Sequence, residues 1–145
     1  MTESSLDTAT DEALLAVARL VVDVSVRAAD ELGALSPVQL RALTVLRSSS
    51  GANLATLADS MGVAVSTASR LVDRLTAAEW VQRETAPHTR REVSLTLTDA
   101  GEDLLRRYDQ RRLAELRSCV DQLDAGRRNA VVAALAEFGA TTPAH

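Results

Sequence analysis

Apolar residues recur along this chain at two different periods, and the places where the period changes mark its organisation. Leu54, Leu57, Ala58 and Met61 fall at i, i+3, i+4 and i+7, which predicts a short helix with one buried face. Gly62 follows at once, and glycine leaves a helix through the left-handed region without a Cβ clash. A second helix is predicted from about Val65 to Glu79. Its inward stripe is Ala68, Leu71, Val72 and Leu75, which leaves Ser66, Thr67, Ser69, Arg70, Asp73 and Arg74 facing out. Two β-rich runs come next, Val81 to Thr85 and Glu92 to Leu97, the second alternating with period two. The loop between them holds Pro87, Arg90 and Arg91. Helix, tight turn, helix and basic hairpin in that order predict a winged helix-turn-helix.

The flanks read as longer helices. Residues 1–9 are polar and predict a ragged tail. Asp11 to Leu32 carries Leu14, Leu15, Val17, Ala18, Val21, Val22, Val24 and Ala28, a stripe too broad for packing on one side. Gly33 stops that helix. Ser36, Pro37 and Gln39 then open the next with a capping box and a proline in the first turn, followed by Val38, Leu40, Leu43, Val45 and Leu46. Beyond the hairpin, Thr98 predicts the cap of a helix reaching roughly to Leu123, and Asp124 the cap of a last helix through Phe138. The fold class is mainly α (α+β) in a single domain, 1–145. Its terminal helices carry more apolar surface than one small domain covers, which implies a partner.

The outward set suits a DNA groove. Short hydroxyls at Ser66, Thr67 and Ser69 can bond phosphates or base edges without holding the helix away. The guanidinium of Arg70 or Arg74 can take guanine O6 and N7 together. Arg90 and Arg91, at a hairpin tip, suit the negative potential of a minor groove. The plainer alternative for each is a solvated charged face, with Arg74 pairing to Asp73 or Glu79.

These residues resemble the multiple-antibiotic-resistance-regulator (MarR) family of bacterial winged-helix transcription factors. The likeness runs through Leu54 and Ala55, Gly62 and Val63, Ser66 and Thr67, Arg70 to Leu75, Val81, Arg83, Arg91, and Leu97, Thr98 and Gly101. It implies a homodimer, with helices in 11–35 and 99–140 as dimerisation elements and 36–98 as the DNA-binding lobe. It implies sequence-specific binding of double-stranded DNA at pseudo-palindromic operators, with repression the expected sign. It also implies a small aromatic or phenolic effector held in a cleft between the dimerisation and DNA-binding parts. Three positions depart from the family pattern. Ala64 stands where a capping serine is usual, so the recognition helix is expected to begin at Ser66 or to be capped by water. Glu79 replaces the glycine before the first wing strand and unsettles that turn. Thr89 replaces the aspartate two residues before Arg91, which predicts a looser wing tip.

Composition sharpens this picture. The 145 residues are 46% hydrophobic, enough for a core, and the net charge is −4. That acidity is unevenly spread: residues 36–91 hold seven arginines against four carboxylates, whereas both flanks are net negative. Phosphate contact is local, so the basic middle decides. One cysteine, Cys119, excludes a disulfide framework. It reads as a buried small hydrophobe, with a redox-responsive regulator as the alternative. His88 and His145 are too far from it to form a metal site. No phosphate-binding glycine loop or nucleophile with a base is visible, so neither an enzyme nor a cofactor is expected. No apolar run of membrane length and no signal-peptide pattern appears, and a cytoplasmic location is expected. A winged-helix protein-interaction module remains the competing function, separable by the salt dependence of duplex binding.

Overall fold

The computed structural model describes residues 2–33, 35–49, 51–85 and 93–141, with side chains from residue 7 onward. Its elements in order are α1 (Thr2–Leu32), α2 (Pro37–Ser48), α3 (Leu54–Met61), α4 (Val65–Ala77), β1 (Val81–Thr85), β2 (Val93–Leu97), α5 (Asp99–Asp121) and α6 (Ala125–Ala140). One apolar cluster joins Ala28 of α1, Leu43 of α2, Leu57 of α3, Leu75 of α4, Leu95 of β2 and Leu105 of α5. This core lies inside the middle of the chain. Helix α1 from Asp7 to Asp23 and all of α6 stand outside it, since among the described residues α1 buries nothing before Val24 and α6 buries nothing.

Each lobe helix starts and stops for a local reason. The capping box on α2 forms as expected: Gln39 N–H donates to Ser36 Oγ at 3.2 Å, and Ser36 N–H donates to Gln39 Oε1 at 2.9 Å. Asn53 caps α3 by accepting from Thr56 N–H at 2.9 Å. Gly62 ends α3 at φ 66°, with Val63 N–H on Ala58 O and Gly62 N–H on Asp59 O, the paired bonds of a Schellman stop. Helix α4 begins at Val65, one residue earlier than Ser66, on an Ala64 whose side chain caps nothing.

The second stop corrects the expected boundary. Helix α4 ends at Ala77 rather than Glu79, and Glu79 adopts φ 60°. The turn keeps the Schellman form, with Trp80 N–H on Leu75 O and Glu79 N–H on Thr76 O, both at 3.0 Å. These bonds hold a residue with a Cβ in the left-handed region, at a cost of about 1–2 kcal/mol. Trp80 then packs half-buried against the core. The strands pair antiparallel from Val81 with Leu97 to Thr85 with Val93. Leu95 also bridges to Ala52, its N–H donating to Ala52 O at 2.8 Å, which the sequence pattern does not reveal.

The start of α5 is docked on this corner. Thr98 Oγ1 donates to Glu79 O at 2.5 Å and accepts from Gly101 N–H at 3.1 Å, while Thr98 N–H donates to Trp80 O at 3.1 Å. Gly101 is there because α5 runs against backbone: a Cβ on it would lie 2.2 Å from Trp80 O. Asp124 caps α6 by accepting from Arg127 N–H at 3.0 Å, as expected.

Two other expectations are corrected. The region read as a polar tail is helical from Thr2. Cys119 is exposed, not buried, because the buried side chains of α5 stop at Tyr108 and the helix outruns the lobe it packs on. Among the described residues, no helix is long and apolar enough to cross a membrane.

Candidate nucleic-acid interface

Helix α4 is anchored by Ala68, Leu71, Val72 and Leu75, the stripe expected from its periodicity. At 100° per residue, burying that stripe turns Ser66, Thr67, Arg70 and Arg74 into solvent, and all four are exposed. Arg70 and Arg74 form no ion pair with a described residue. Ser69 sits differently. It is half-buried and lines a cleft at the base of the hairpin with Leu54, Val72, Arg83, Val93 and Leu95. Arg90 and Arg91, with Thr89 and His88, lie outside the described residues.

Asp73 does not pair with Arg74. Its Oδ1 accepts from Arg83 Nη2 at 2.7 Å, a link from α4 to β1 that the sequence reading missed. Partners ten residues apart across a turn leave no periodic signal. The pair is exposed on both sides and worth little in stability, but it consumes the one carboxylate on the outward face of α4. That leaves Arg70 and Arg74 uncompensated.

A second feature required the fold to become visible. Helices α1, α2 and α5 enclose an open cavity of about 470 Å³ whose walls include Val22, Val26, Leu40, Val45 and Tyr108. Among the described residues, its charged lining residues are Arg41 and Arg112. The Arg112 guanidinium lies 5.2 Å from the Tyr108 ring centroid, and its Nε is buried with no hydrogen-bond partner among the described residues. Such a cavity offers apolar walls to a ring and a cation to an acidic head group. On the other side of α1, Arg27 meets Glu115 at 2.5 Å and Glu31 meets Arg111 at 2.8 Å, while Arg47 of α2 meets Asp109 at 2.9 Å. The Arg27 pKa is held above its ordinary value, chiefly by the hydrogen bond to Glu115. Among the described residues no group of histidine, cysteine and carboxylate side chains could hold a metal ion.

A helix with an exposed cationic face, a tight turn, a supporting helix and an antiparallel hairpin define a winged helix-turn-helix protein. The comparisons carry this to a family. The MarR family model matches residues 35–93. The crystal structure of RV1404 from Mycobacterium tuberculosis is similar at 35% identity, with 99% of each chain covered and a TM-score of 0.85. The multiple antibiotic-resistance repressor from Listeria monocytogenes shares the fold at 20% identity, with 96% of each chain covered and a TM-score of 0.79. An S. aureus MepR mutant bound to an oligodeoxyribonucleotide shares it at 16% identity, with 89% of this chain and 94% of that one covered and a TM-score of 0.72. No curated protein matches. The chain belongs to the MarR family, whose members are DNA-binding transcriptional regulators rather than enzymes.

Proposed function

We propose that this protein is a cytoplasmic homodimeric repressor that binds a pseudo-palindromic operator and leaves it when a small aromatic or phenolic acid enters the cavity between α1, α2 and α5. The observation that carries the reading is the uncompensated outward face of α4. Ser66 and Thr67 bond the backbone at the helix start, Arg70 reads a base edge, and Arg74 takes a base or phosphate. Ser69 supports the wing side. Arg90 and Arg91 enter the adjacent minor groove from the hairpin tip.

The helices in 11–35 and 99–140 join two copies, and 36–98 is the DNA-binding lobe. Support comes from apolar side chains left in water by a single chain, among them Leu14, Leu15 and Val22 on α1 and Val132, Leu135 and Phe138 on α6. Phe138 is 61% exposed, a position that a lone soluble helix has little reason to fill with an aromatic ring. Two α4 helices on one dimer then meet half-sites ~34 Å apart. Arg41 and Arg112 at an otherwise apolar cavity support the acidic effector.

Selection of bound fragments from a random duplex pool, then anisotropy titration across salt, tests the reading. A steep fall of affinity with salt, of the order expected for ~6–10 neutralised phosphates, is the expected result. A flat response would return the α4 face to a protein partner. Light scattering should give twice the 15.5 kDa chain mass at micromolar concentration, and a monomer would remove the two-half-site geometry.

A further inference from the structure

Arg41 faces two ways. It lines the cavity from α2, and its Nη2 donates to Ser60 O in the last turn of α3 at 3.4 Å. The last four carbonyls of a helix have no partner within it. In α3, Val63 and Gly62 take those of Ala58 and Asp59, and Arg41 takes that of Ser60, at the negative end of the helix dipole. The contact is long and its acceptor neutral.

A carboxylate in the cavity is a stronger acceptor. Charge-assisted bonds of guanidinium to carboxylate are about twice as strong as neutral ones. Among the described residues no acidic side chain lines the cavity, and the nearest carboxylate to Arg112, Asp109, stands 3.7 Å from its Nη1 and is shared with Arg47. Arg112 is already held in place over Tyr108 with a free Nε, so α5 supplies an anchor that does not depend on Arg41. We propose that Arg41 couples the cavity to the helix-turn-helix: a carboxylate-headed apolar ligand anchored by Arg112 draws the Arg41 guanidinium off the C-terminal end of α3. Helices α3 and α4 are then free to tilt against α2, and the outward face of α4 loses its register on DNA. The inference rests on the effector reading of the cavity given above. It adds the residue that transmits occupancy, which lies on neither α4 nor the wing.

Naphthoate and its uncharged counterpart naphthamide are suitable probes. Calorimetry on the free dimer establishes saturation, and anisotropy on a fragment selected by the protein gives the ratio of DNA affinity without and with saturating probe. Naphthoate should lower wild-type DNA affinity ~tenfold, within the usual span of allosteric coupling, and naphthamide should not. Arg41→Gln should still bind naphthoate through Arg112 but show a ratio near one, and Arg41→Lys should recover part of the release. Amide exchange at Gly62 and Val63 should quicken with naphthoate in the wild type and stay unchanged in Arg41→Gln. Full release in Arg41→Gln, or release by naphthamide, would overturn the coupling. Loss of naphthoate binding in Arg41→Gln would overturn it too, by making Arg41 an anchor. A wild type that binds no naphthoate would instead sink the effector reading, and the coupling with it.

Discussion

Replacing Gly101 by alanine sets two known effects against each other, and the structure says which wins. Gly101 is the third residue of α5, where intrinsic helix propensity favours alanine by up to ~1 kcal/mol. The added Cβ would lie 2.2 Å from Trp80 O and 3.1 Å from Trp80 C. An ordinary carbon-to-oxygen contact starts near ~3.3 Å, so α5 must retreat by about 1 Å from a neighbour that is backbone and cannot rotate away. Overpacking costs typically ~1–3 kcal/mol. The retreat also stretches the bonds of Thr98 N–H to Trp80 O and Thr98 Oγ1 to Glu79 O, each worth ~1 kcal/mol net. The expected balance is a loss of ~2 kcal/mol, read as a drop of ~4–8 °C in Tm for a domain of this size. Wild type and variant need equal protein concentration, because association makes Tm concentration-dependent. Propensity alone predicts the opposite sign. An unchanged or higher Tm for Gly101→Ala would therefore refute the close approach of α5 to the Trp80 backbone.

Four further outcomes are expected. Ala64→Ser adds the missing cap at the start of α4, where the backbone is already extended (φ −65°, ψ 147°), and should stabilise by ~1 kcal/mol in urea titration. Glu79→Gly relieves about 1–2 kcal/mol of left-handed strain against ~0.5–1 of unfolded-chain entropy, so Tm should hold or rise by a few degrees, and a clear fall would count against the strain. Arg70→Ala should relax preference at one base pair per half-site, costing ~1–3 kcal/mol on the best site, whereas a uniform loss on all duplexes would make Arg70 a phosphate clamp. The double change Arg90→Ala with Arg91→Ala should weaken binding to the selected duplex while leaving the mass in solution and Tm unchanged, and wild-type affinity at every salt concentration would rule out a wing contact with DNA.

What the sequence made legible was local. Gly62, the Ser36–Gln39 box and the Ala68, Leu71, Val72, Leu75 stripe each act within one or two helical turns, and the structure places them as read. Glu79 shows the limit: propensity disfavours a glutamate at φ 60°, and the Schellman bonds to Leu75 and Thr76 override it. Cys119 was misread since a small apolar residue in a helix resembles core until the end of the packed lobe is known. Asp73 with Arg83, and Arg41 with Arg112, depend on distances between elements that no spacing encodes. Of the residues assigned to DNA, Ser66, Thr67, Arg70 and Arg74 share the exposed face of α4, and Ser69 turns toward the hairpin instead.

Leu95 sits between Arg83 of β1 on one side and Ala52 on the other, so at this residue β2 is an inner strand rather than the free edge of a two-stranded ribbon. The hairpin is thus clamped at its root and held by a single row of pairings toward Thr85 and Val93. Opening should run like a zip from that far end, with protection of amides rising toward Leu95. A hairpin built this way can part at Thr85 and Val93 while its root, and the docking of α5 behind it, stay fixed.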